Sequence, residues 1–464
     1  MANPRVGKLD IVTTSLFISL VILGWLMYYA VTYDPNSTVS AFDLTKGLGK
    51  ETLWVGSSII LFFLVQVLDS RVWSGFALVF YAIGILLLIG VIFFGSSIKG
   101  ATSWYTFGGF SFQPSEFAKF GTALAVSSVL SGPSDDMANP KTRWIAFGLL
   151  ALPVFLIMLQ PDAGSALVFT SFFILFYRKG LNGNIYVIGF ILVALFILSL
   201  IYPSYGILMV LLAAGLAFAV NKRDKKIQEY ALIAGALIFG FYFMDKAWSI
   251  VPLALMMIRR VVLYFTNGDL KKLVFHFATL LIAVGIVYGA RYFYDDVLEP
   301  HQQERINVWL NPSKCDPRGS LYNVLQSKMA IGSGGLTGRG FLKGELTQLN
   351  YVPEQSTDFI FCTIGEEHGF IGVALTIIIF LALVLRLTFL AERQRLSFAR
   401  NYGYALAGIL FFHFMINIGM TMGLFPIIGI PLPMVSYGGT SLMMFTLMIS
   451  VMIKLDQSRQ SKGV

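Results

Sequence analysis

The stretch WSGFALVFYAIGILLLIGVIFFG, residues 73–95, contains no charged side chain. About twenty apolar residues in a helix are enough to cross a hydrocarbon core about 30 Å thick. Similar runs recur along the chain, which is 56% hydrophobic and 13% charged with a mean hydropathy of +0.73, whereas a soluble protein carries roughly a quarter charged residues. We therefore predict an all-α polytopic membrane protein. The predicted spans are about 11–31, 52–68, 73–95, 116–131, 144–160, 163–177, 184–203, 205–220, 230–245, 248–264, 274–293, 358–386, 403–423 and 437–454.

The net charge of +9 lies mainly in short segments between the predicted spans. Alternate segments are rich in Lys and Arg, which is the pattern expected of cytoplasmic loops. We therefore predict contact with a membrane and not with nucleic acid, with both termini cytoplasmic and the first span retained. The two cysteines do not form a disulfide framework. The basic residues concerned are Arg71, Lys141, Arg143, Arg178, Lys179, the run NKRDKK at 221–226, Arg259, Arg260, Lys271, Lys272, Arg393 and Arg395.

One long polar segment, residues 294–357, interrupts this pattern and falls on the outer side in the same orientation. It contains no run long enough to span a membrane. Long segments of this kind are usually functional, and the alternative is a lid or a spacer. We predict a single transmembrane domain over 1–464 with this segment as its long extracytoplasmic loop.

Two polar clusters lie near predicted helix starts on the outer side. In GATSWYTFGGFSFQPSEFAKF, residues 100–120, Ser115 is predicted to cap a helix on which Glu116 and Lys119 share a face. An ionisable pair near a span is either functional or an anchoring interfacial salt bridge. In LQPDAGSALVF, residues 159–169, Asp162 sits at a helix break, where it is either a functional acid or the cap of the next helix.

Two further clusters surround the last three spans. A helix starting near residue 357, with Thr357 as its cap, carries Asp358, Glu366 and Glu367, and these acids predict a watery vestibule. Residues 419–439 are broken by proline and glycine, and irregular backbone at membrane depth is tolerated where it lines a cavity or is buried in protein.

The available chemistry is that of carboxylates, amides and basic groups. The four histidines lack metal-ligand spacing, and the sequence has no nucleophile elbow, P-loop or dinucleotide fingerprint. Carboxylates suit general acid/base work on sugar hydroxyls, and positive groups with glycine-rich backbone suit pyrophosphate. The residues alone predict an outward-facing membrane cavity for a polar substrate with an apolar tail, and they leave an enzyme and a transporter equally open.

The motifs of these clusters resemble those of the SEDS family (shape, elongation, division and sporulation), which polymerises peptidoglycan glycan strands. The resemblance covers about 1–180 and 274–464, and two stretches, GRGFLKGELTQLNYVPEQ and NIGMTMGLFPIIGIPLPMVS, resemble the RodA-like elongation branch more than the FtsW division branch. The motifs are FQPSEFAK, QPDAGSALV, NPSKCDPRGSLYNVLQS, GSGGLTGRGFLKG, VPEQSTDFIF, GEEHGF and PLPMVSYGGTSLM.

The resemblance implies a glycosyltransferase that joins lipid II disaccharides into β-1,4 strands at the outer face of the bacterial inner membrane. Undecaprenyl pyrophosphate would be released, a class B penicillin-binding protein would be the partner, and Mg²⁺ or Mn²⁺ would assist. The implied general base is Asp316, and Lys119 or Arg339 would stabilise the leaving pyrophosphate. The other residues implied to bind substrate or line the cavity are Glu116, Asp162, Gln113, Trp104, Tyr322, Gln326, Lys343, Asp358 and Ser436.

The chain departs from the family pattern in two places. Ser103 precedes Trp104 where the family usually has an arginine, and Lys99 is the nearest basic residue in sequence. About four spans, residues 184–264, are predicted to be inserted into a ten-span core, and their role is open. The alternative functions are a flippase or transporter of lipid-linked precursors and a scaffold for wall synthesis. Neither alternative requires an acid in the long loop.

Overall fold

The computed structural model describes residues 8–33, 42–98, 100–108, 110–132, 136–219, 226–242, 250–266 and 270–461. These residues contain nineteen α-helices, three short strands, two 3₁₀ turns and one π turn. The elements are α1 (Ile11–Thr32), α2 (Gly47–Val67), α3 (Ser70–Gly75), α4 (Ala77–Phe94), β1 (Ser96–Ile98), β2 (Ala101–Phe107), β3 (Phe110–Phe112), α5 (Pro114–Val129), α6 (Pro140–Met158), α7 (Ala163–Val168), α8 (Phe172–Arg178), α9 (Gly183–Ile201), α10 (Ser204–Ala219), α11 (Lys226–Tyr242), α12 (Val251–Thr266), α13 (Leu270–Tyr292), α14 (Pro300–Leu310), α15 (Ser320–Ser333), α16 (Glu345–Gln348), α17 (Ile360–Glu392), α18 (Ser397–Thr421) and α19 (Gly439–Ser461).

Within the described residues, each of the fourteen predicted spans overlaps a helix or a run of adjoining helices. Residues 220, 243–245 and 248–249 of three of these spans lie outside the described ranges. Among the described residues, eight helices are long and apolar enough to cross a membrane, and the predicted polytopic helical class is confirmed. They are α1, α2, α4, α6, α9, α17, α18 and α19. Two shorter apolar helical stretches cover Ala163–Arg178 and Ser204–Ala217.

The chain forms two compact units. The first contains Met1–Asn182 and Asp316–Val464, and the second contains Gly183–Cys315. The second unit begins at the start of the predicted inserted spans and continues beyond their predicted end at residue 264. Within it α9 packs on α13, and α10 packs on α11, α12 and α13. The long polar segment is divided between the units at Asp316 and contains three α-helices, α14, α15 and α16.

In the first unit, α4 packs on α5, α17 on α18, α2 on α19 and α1 on α17. We call the end where α1 begins and α17 and α19 finish the termini end, and the opposite end the site end. At the termini end, Asp10 accepts from Arg386 at 2.5 Å and Asp456 accepts from Arg393 at 2.5 Å. These bonds tie the start of the chain to the ends of two later helices.

The site end carries a small antiparallel sheet, a feature that is not among the sequence predictions. The strands lie in the order β1-β2-β3 between α4 and α5. Thr440 at the start of α19 donates to the Ser111 carbonyl of β3 at 2.9 Å. Gly108, after β2, has φ +54°, a backbone conformation that glycine adopts readily in tight turns. Thr, Trp, Tyr and Phe in β2 are residues that strands favour.

Candidate active site

The first two polar clusters meet at the site end through Gln113 and Asp162. Gln113 Nε2 donates to Asp162 Oδ2 at 3.1 Å. Asp162 also caps α7, since its Oδ1 accepts the Ser165 backbone N–H at 3.0 Å and its Oδ2 accepts the Ser165 hydroxyl at 2.7 Å. Asp162 is therefore both a helix cap and the acid that joins the start of α5 to the start of α7.

Ser115 does not cap α5 as predicted. The helix begins one residue earlier, at Pro114, with Gln113 in the cap position and no side-chain cap bond. Proline is favoured at the first helical position because it lacks an N–H that would need a partner. Ser115 is buried, and its hydroxyl instead donates to Ser165 at 3.2 Å, which adds a second link between α5 and α7.

The Glu116–Lys119 pair lies inside the helix bundle. Lys119 Nζ is 2.7 Å from Glu116 Oε1, and the two side chains are 0% and 3% exposed. Lys119 Nζ is also 2.8 Å from His413 Nε2 on α18. Because both charges are removed from solvent, this is a buried ion pair and not an interfacial anchor. A charged group at such depth is stable only when it is paired.

The residues 422–438 between α18 and α19 form an irregular stretch, which we call the broken segment. Asn417 Nδ2 on α18 donates to the Ile430 carbonyl at 2.8 Å and to the Asp358 carbonyl at 2.9 Å. Ser436 is buried, and its hydroxyl accepts the Leu432 N–H at 2.8 Å. These side chains form hydrogen bonds with backbone groups that lie outside any helix, and such groups need a partner in apolar surroundings.

The broken segment packs closely against the residues of the first clusters. A Cβ at Gly164 would lie 2.6 Å from the Ile428 carbonyl oxygen, and one at Gly429 would lie 3.5 Å from Asp358 Oδ2. The Asp358 carboxylate therefore faces the broken segment at Gly429, which has φ +74°. Asp358 precedes α17, which begins at Ile360, so the prediction that Thr357 caps this helix is wrong.

Asp316 is exposed. It is the first residue of the part of the long segment that belongs to the first unit. Its Oδ1 accepts the Arg318 N–H at 2.9 Å, and its carbonyl accepts the Gly319 N–H at 3.1 Å. This turn leads into α15. Within the described part of the chain, the Asp316 carboxylate forms no ion pair and no bond to Lys119 or Asp162.

Three other residues predicted to bind substrate or line the cavity lie on α15 and in β2. Tyr322, Gln326 and Trp104 are half-buried. Gln326 Oε1 is buried and has no hydrogen-bond partner among the described residues. Trp104 lies in β2 opposite Ser96 of β1. Lys99, considered as a substitute for the missing arginine, lies outside the described residues.

Arg339 and Lys343 lie on a loop, residues 334–344, that is bonded to α17 through its backbone. The Arg339 N–H donates to the Glu366 carbonyl at 2.9 Å and the Gly340 N–H to the Glu367 carbonyl at 3.0 Å. Both basic side chains are exposed, and Arg339 pairs with exposed Glu345 at 2.8 Å. The loop presents two accessible cations from a fixed backbone.

The prediction of a watery vestibule around Glu366 and Glu367 is wrong. Glu366 and Glu367 are 0% and 1% exposed. The Glu366 carboxylate accepts the Leu346 N–H at 2.9 Å, the Thr347 N–H at 2.9 Å and the Thr347 hydroxyl at 2.6 Å. This acid therefore holds the start of α16, where an anionic acceptor also favours the helix dipole.

His413 is the residue at this site that the sequence analysis missed. It is 1% exposed and lies one turn before Asn417 on α18. The available pattern was a polar residue at every fourth position within an apolar span, His413, Asn417 and Thr421, which places all three on one helix face.

No metal ligand set is formed by the protein side chains in the described ranges, because no three His, Cys, Asp or Glu side chains there lie close enough to share an ion. Mg²⁺ commonly keeps several waters and binds substrate phosphates with only one or two carboxylates. A divalent cation at this site would therefore depend on the substrate for most of its ligands.

The family model described as "Cell cycle protein", FTSW_RODA_SPOVE, matches residues 11–212 and 206–461. The chain belongs to this family. Two curated relatives are named peptidoglycan glycosyltransferases. MrdB of Escherichia coli K12 is 28% identical over 96% of this chain and 94% of that protein. RodA of Treponema pallidum is 30% identical over 94% of this chain and 95% of that protein.

The elongation branch of the family is favoured, since the division relatives named FtsW are 26 or 27% identical. One solved structure has a TM-score of 0.62 and 26% identity, covering 97% of this chain and 98% of the other. Its description reads "Structural coordination of polymerization and crosslinking by a peptidoglycan synthase complex". A second solved structure, described as rod shape determining protein RodA of Thermus thermophilus, has the same fold with a TM-score of 0.56 and 22% identity, covering 97% of this chain and 98% of the other.

Proposed function

We propose that this protein is a peptidoglycan glycosyltransferase of cell elongation that polymerises lipid II. The observation that carries the proposal is the family match across almost the whole chain, together with relatives named for this activity over 94% or more of their own length. The site end adds a group of carboxylates, amides and exposed cations suited to a sugar pyrophosphate substrate.

Asp316 is the proposed general base. Its exposed carboxylate is held by a turn and forms no ion pair with the described residues, so it is open to a substrate hydroxyl. It would take the proton of the acceptor GlcNAc 4-hydroxyl as that oxygen attacks C1 of the donor MurNAc. The new O4–C1 bond replaces the C1–O bond to pyrophosphate, which leaves with the electron pair, and the α-linkage becomes β.

Arg339 is the better candidate for meeting the leaving pyrophosphate. Its side chain is 37% exposed and Lys343 is exposed nearby in sequence, whereas Lys119 is fully buried. An exposed guanidinium forms bidentate bonds with phosphate oxygens. A divalent cation, Mg²⁺ or Mn²⁺, would be held mainly by the substrate phosphates and would supply further positive charge to the leaving group.

The site end is proposed to face the outside of the bacterial inner membrane. In the first unit the termini end carries Arg178, Arg386, Arg393 and Lys454, while Asp162 and Gln113 lie at the opposite end. Excess Lys and Arg marks the cytoplasmic side. This arrangement supports cytoplasmic termini and an outward-facing site, where lipid II sugars are displayed.

A class B penicillin-binding protein is the proposed partner. The support is the similar solved structure, which is described as a complex that coordinates polymerization and crosslinking. Lipid II would be the donor and acceptor, and undecaprenyl pyrophosphate the released product.

The test compares the purified wild type with Asp316→Asn, each mixed with its cognate penicillin-binding protein and labelled lipid II, with and without Mg²⁺ or Mn²⁺. Asp296→Asn is the matched control, because Asp296 is also an exposed acid of the long segment. We expect polymer on a gel from the wild type and the control, and none from folded Asp316→Asn. Equal polymer from all three would place the base elsewhere. No polymer from any of them, where a known polymerase works, would favour a flippase or a scaffold.

A further inference from the structure

His413 lies between the Glu116–Lys119 pair and the broken segment. Its Nε2 is 2.8 Å from Lys119 Nζ, and its Nδ1 is 3.4 Å from the Pro431 carbonyl oxygen. The ring of Phe445 packs edge-on to the imidazole, with centroids 5.2 Å apart, and lies 5.8 Å from Lys119 Nζ. The imidazole is therefore enclosed by three different elements, α5, α19 and the broken segment.

The partners of the His413 ring favour one tautomer. An ammonium has three N–H donors and no acceptor, so the His413 Nε2 facing Lys119 must accept. Lys119 Nζ also donates to Glu116 Oε1 at 2.7 Å, as an ammonium paired with a carboxylate does. The ring proton of a neutral imidazole then lies on Nδ1, where it points to the Pro431 carbonyl.

We propose that His413 is a positioning residue for the reaction: as a neutral Nδ1–H imidazole it orients the Lys119 ammonium and couples it to the broken segment. This proposal rests on the proposed function. One continuous chain of bonds runs from Glu116 through Lys119 and His413 to Pro431. Each member except the carbonyl is nine-tenths or more buried, so water does not compete for these bonds.

The coupling matters because α18 holds the broken segment at two consecutive carbonyls. Asn417 bonds the Ile430 carbonyl and His413 faces the Pro431 carbonyl, one helical turn apart. Asn417 also bonds the Asp358 carbonyl. Any shift of the broken segment thus changes the partner of His413 and, through it, the direction of Lys119, whose side chain reaches no solvent while the chain of bonds is closed.

Two substitutions separate positioning from simple packing. In His413→Gln, the amide oxygen accepts from Lys119 while the amide nitrogen donates to Pro431, so both bonds are kept. In His413→Phe, the ring is kept and both bonds are lost. With the penicillin-binding protein and lipid II, we expect His413→Phe to lower kcat at least tenfold without a matching rise in KM, and His413→Gln to recover most of the loss. Equal kcat in the two variants, high or low, would overturn the proposal.

A second measurement does not require turnover. The chain has four histidines, so in protein labelled with ¹⁵N-histidine the His413 resonances are those missing from His413→Gln. We expect a protonated Nδ1 and an unprotonated Nε2. A ring protonated at Nε2, or at both nitrogens, would overturn the proposal even if His413→Phe does not fold. If the wild type makes no polymer, the proposed function fails, and the spectrum still decides how His413 is bonded.

Discussion

Replacing Glu116 by glutamine is expected to destabilise the fold, because it leaves the Lys119 charge buried without its counter-ion. At 2.7 Å and an effective dielectric constant of about 20, two unit charges attract by about 6 kcal/mol, part of which offsets their loss of hydration. Removing one partner of such a pair costs about 3–5 kcal/mol. His413 continues to accept from Lys119 but carries no negative charge, so it does not replace the carboxylate.

The assay is unfolding in detergent micelles, followed by heat or by added denaturing detergent. Glu345→Gln is the matched control, since it breaks a pair of similar length, 2.8 Å, whose glutamate side chain is 75% exposed. Exposed pairs contribute little, so this control is expected to unfold like the wild type. The double variant Glu116→Leu, Lys119→Met is expected to recover most of the lost stability. A loss in Glu116→Gln no larger than in Glu345→Gln, or a double variant less stable than the single, would refute the reasoning.

Three other perturbations test separate parts of the first unit. Burial raises the pKa of Asp10, but hydrogen bonds from Arg386 and from the first turn of α1 outweigh this effect, and the pKa is lowered from 3.8 to about 2. The ionised carboxylate therefore stabilises the fold by roughly 2–3 kcal/mol above about pH 4, and this stabilisation is lost as the pH falls to about 2. In melting scans, Asp10→Asn should have a lower melting temperature than the wild type at neutral pH, and the difference should vanish over this pH range. A difference that does not change with pH would contradict this. Glu366→Gln should speed hydrogen exchange in α16, because an amide oxygen does not replace a carboxylate that accepts three bonds; unchanged exchange would exclude this role. Gly369→Ala should lower the melting temperature, since φ is +63° and the new Cβ would lie 2.8 Å from Leu336. The control Gly148→Ala should not, because the new Cβ would have no atom within 4 Å. Equal melting temperatures for the two variants would show that the kink tolerates a side chain.

The helices were predictable from sequence because each depends on a local property. A span is an apolar run of sufficient length, and α4 or α17 satisfies that requirement regardless of its neighbours. The boundary errors have equally local causes. Proline at 114 starts α5 one residue before the predicted cap, and residues before Ile360 stay irregular although Thr357 is a suitable cap residue.

The contacts between distant motifs were not predictable in this way. The loop 334–344 bonds to α17 through backbone groups, which carry no side-chain pattern that a sequence could display. The kink at Gly369, with φ +63°, brings the two backbones together. The sequence identified Glu366 and Glu367 as acids within a span, and the more general expectation that such acids face water gave the wrong environment for both.

The candidate site shows the same limit more sharply. Glu116, Lys119 and Asp162 were identified because each breaks an apolar pattern near its own helix start. His413 breaks such a pattern too, but its partner, Lys119, lies 294 positions away in the sequence. The contact between them forms only because α18 packs against α5. The structure also separates two cations that the sequence treated alike. Lys119 is bonded inside the bundle, and Arg339 is open on a loop. On the proposed function, an incoming pyrophosphate would meet the exposed Arg339 and not Lys119, and Lys119 would act on the reaction only through its bonds to Glu116 and His413.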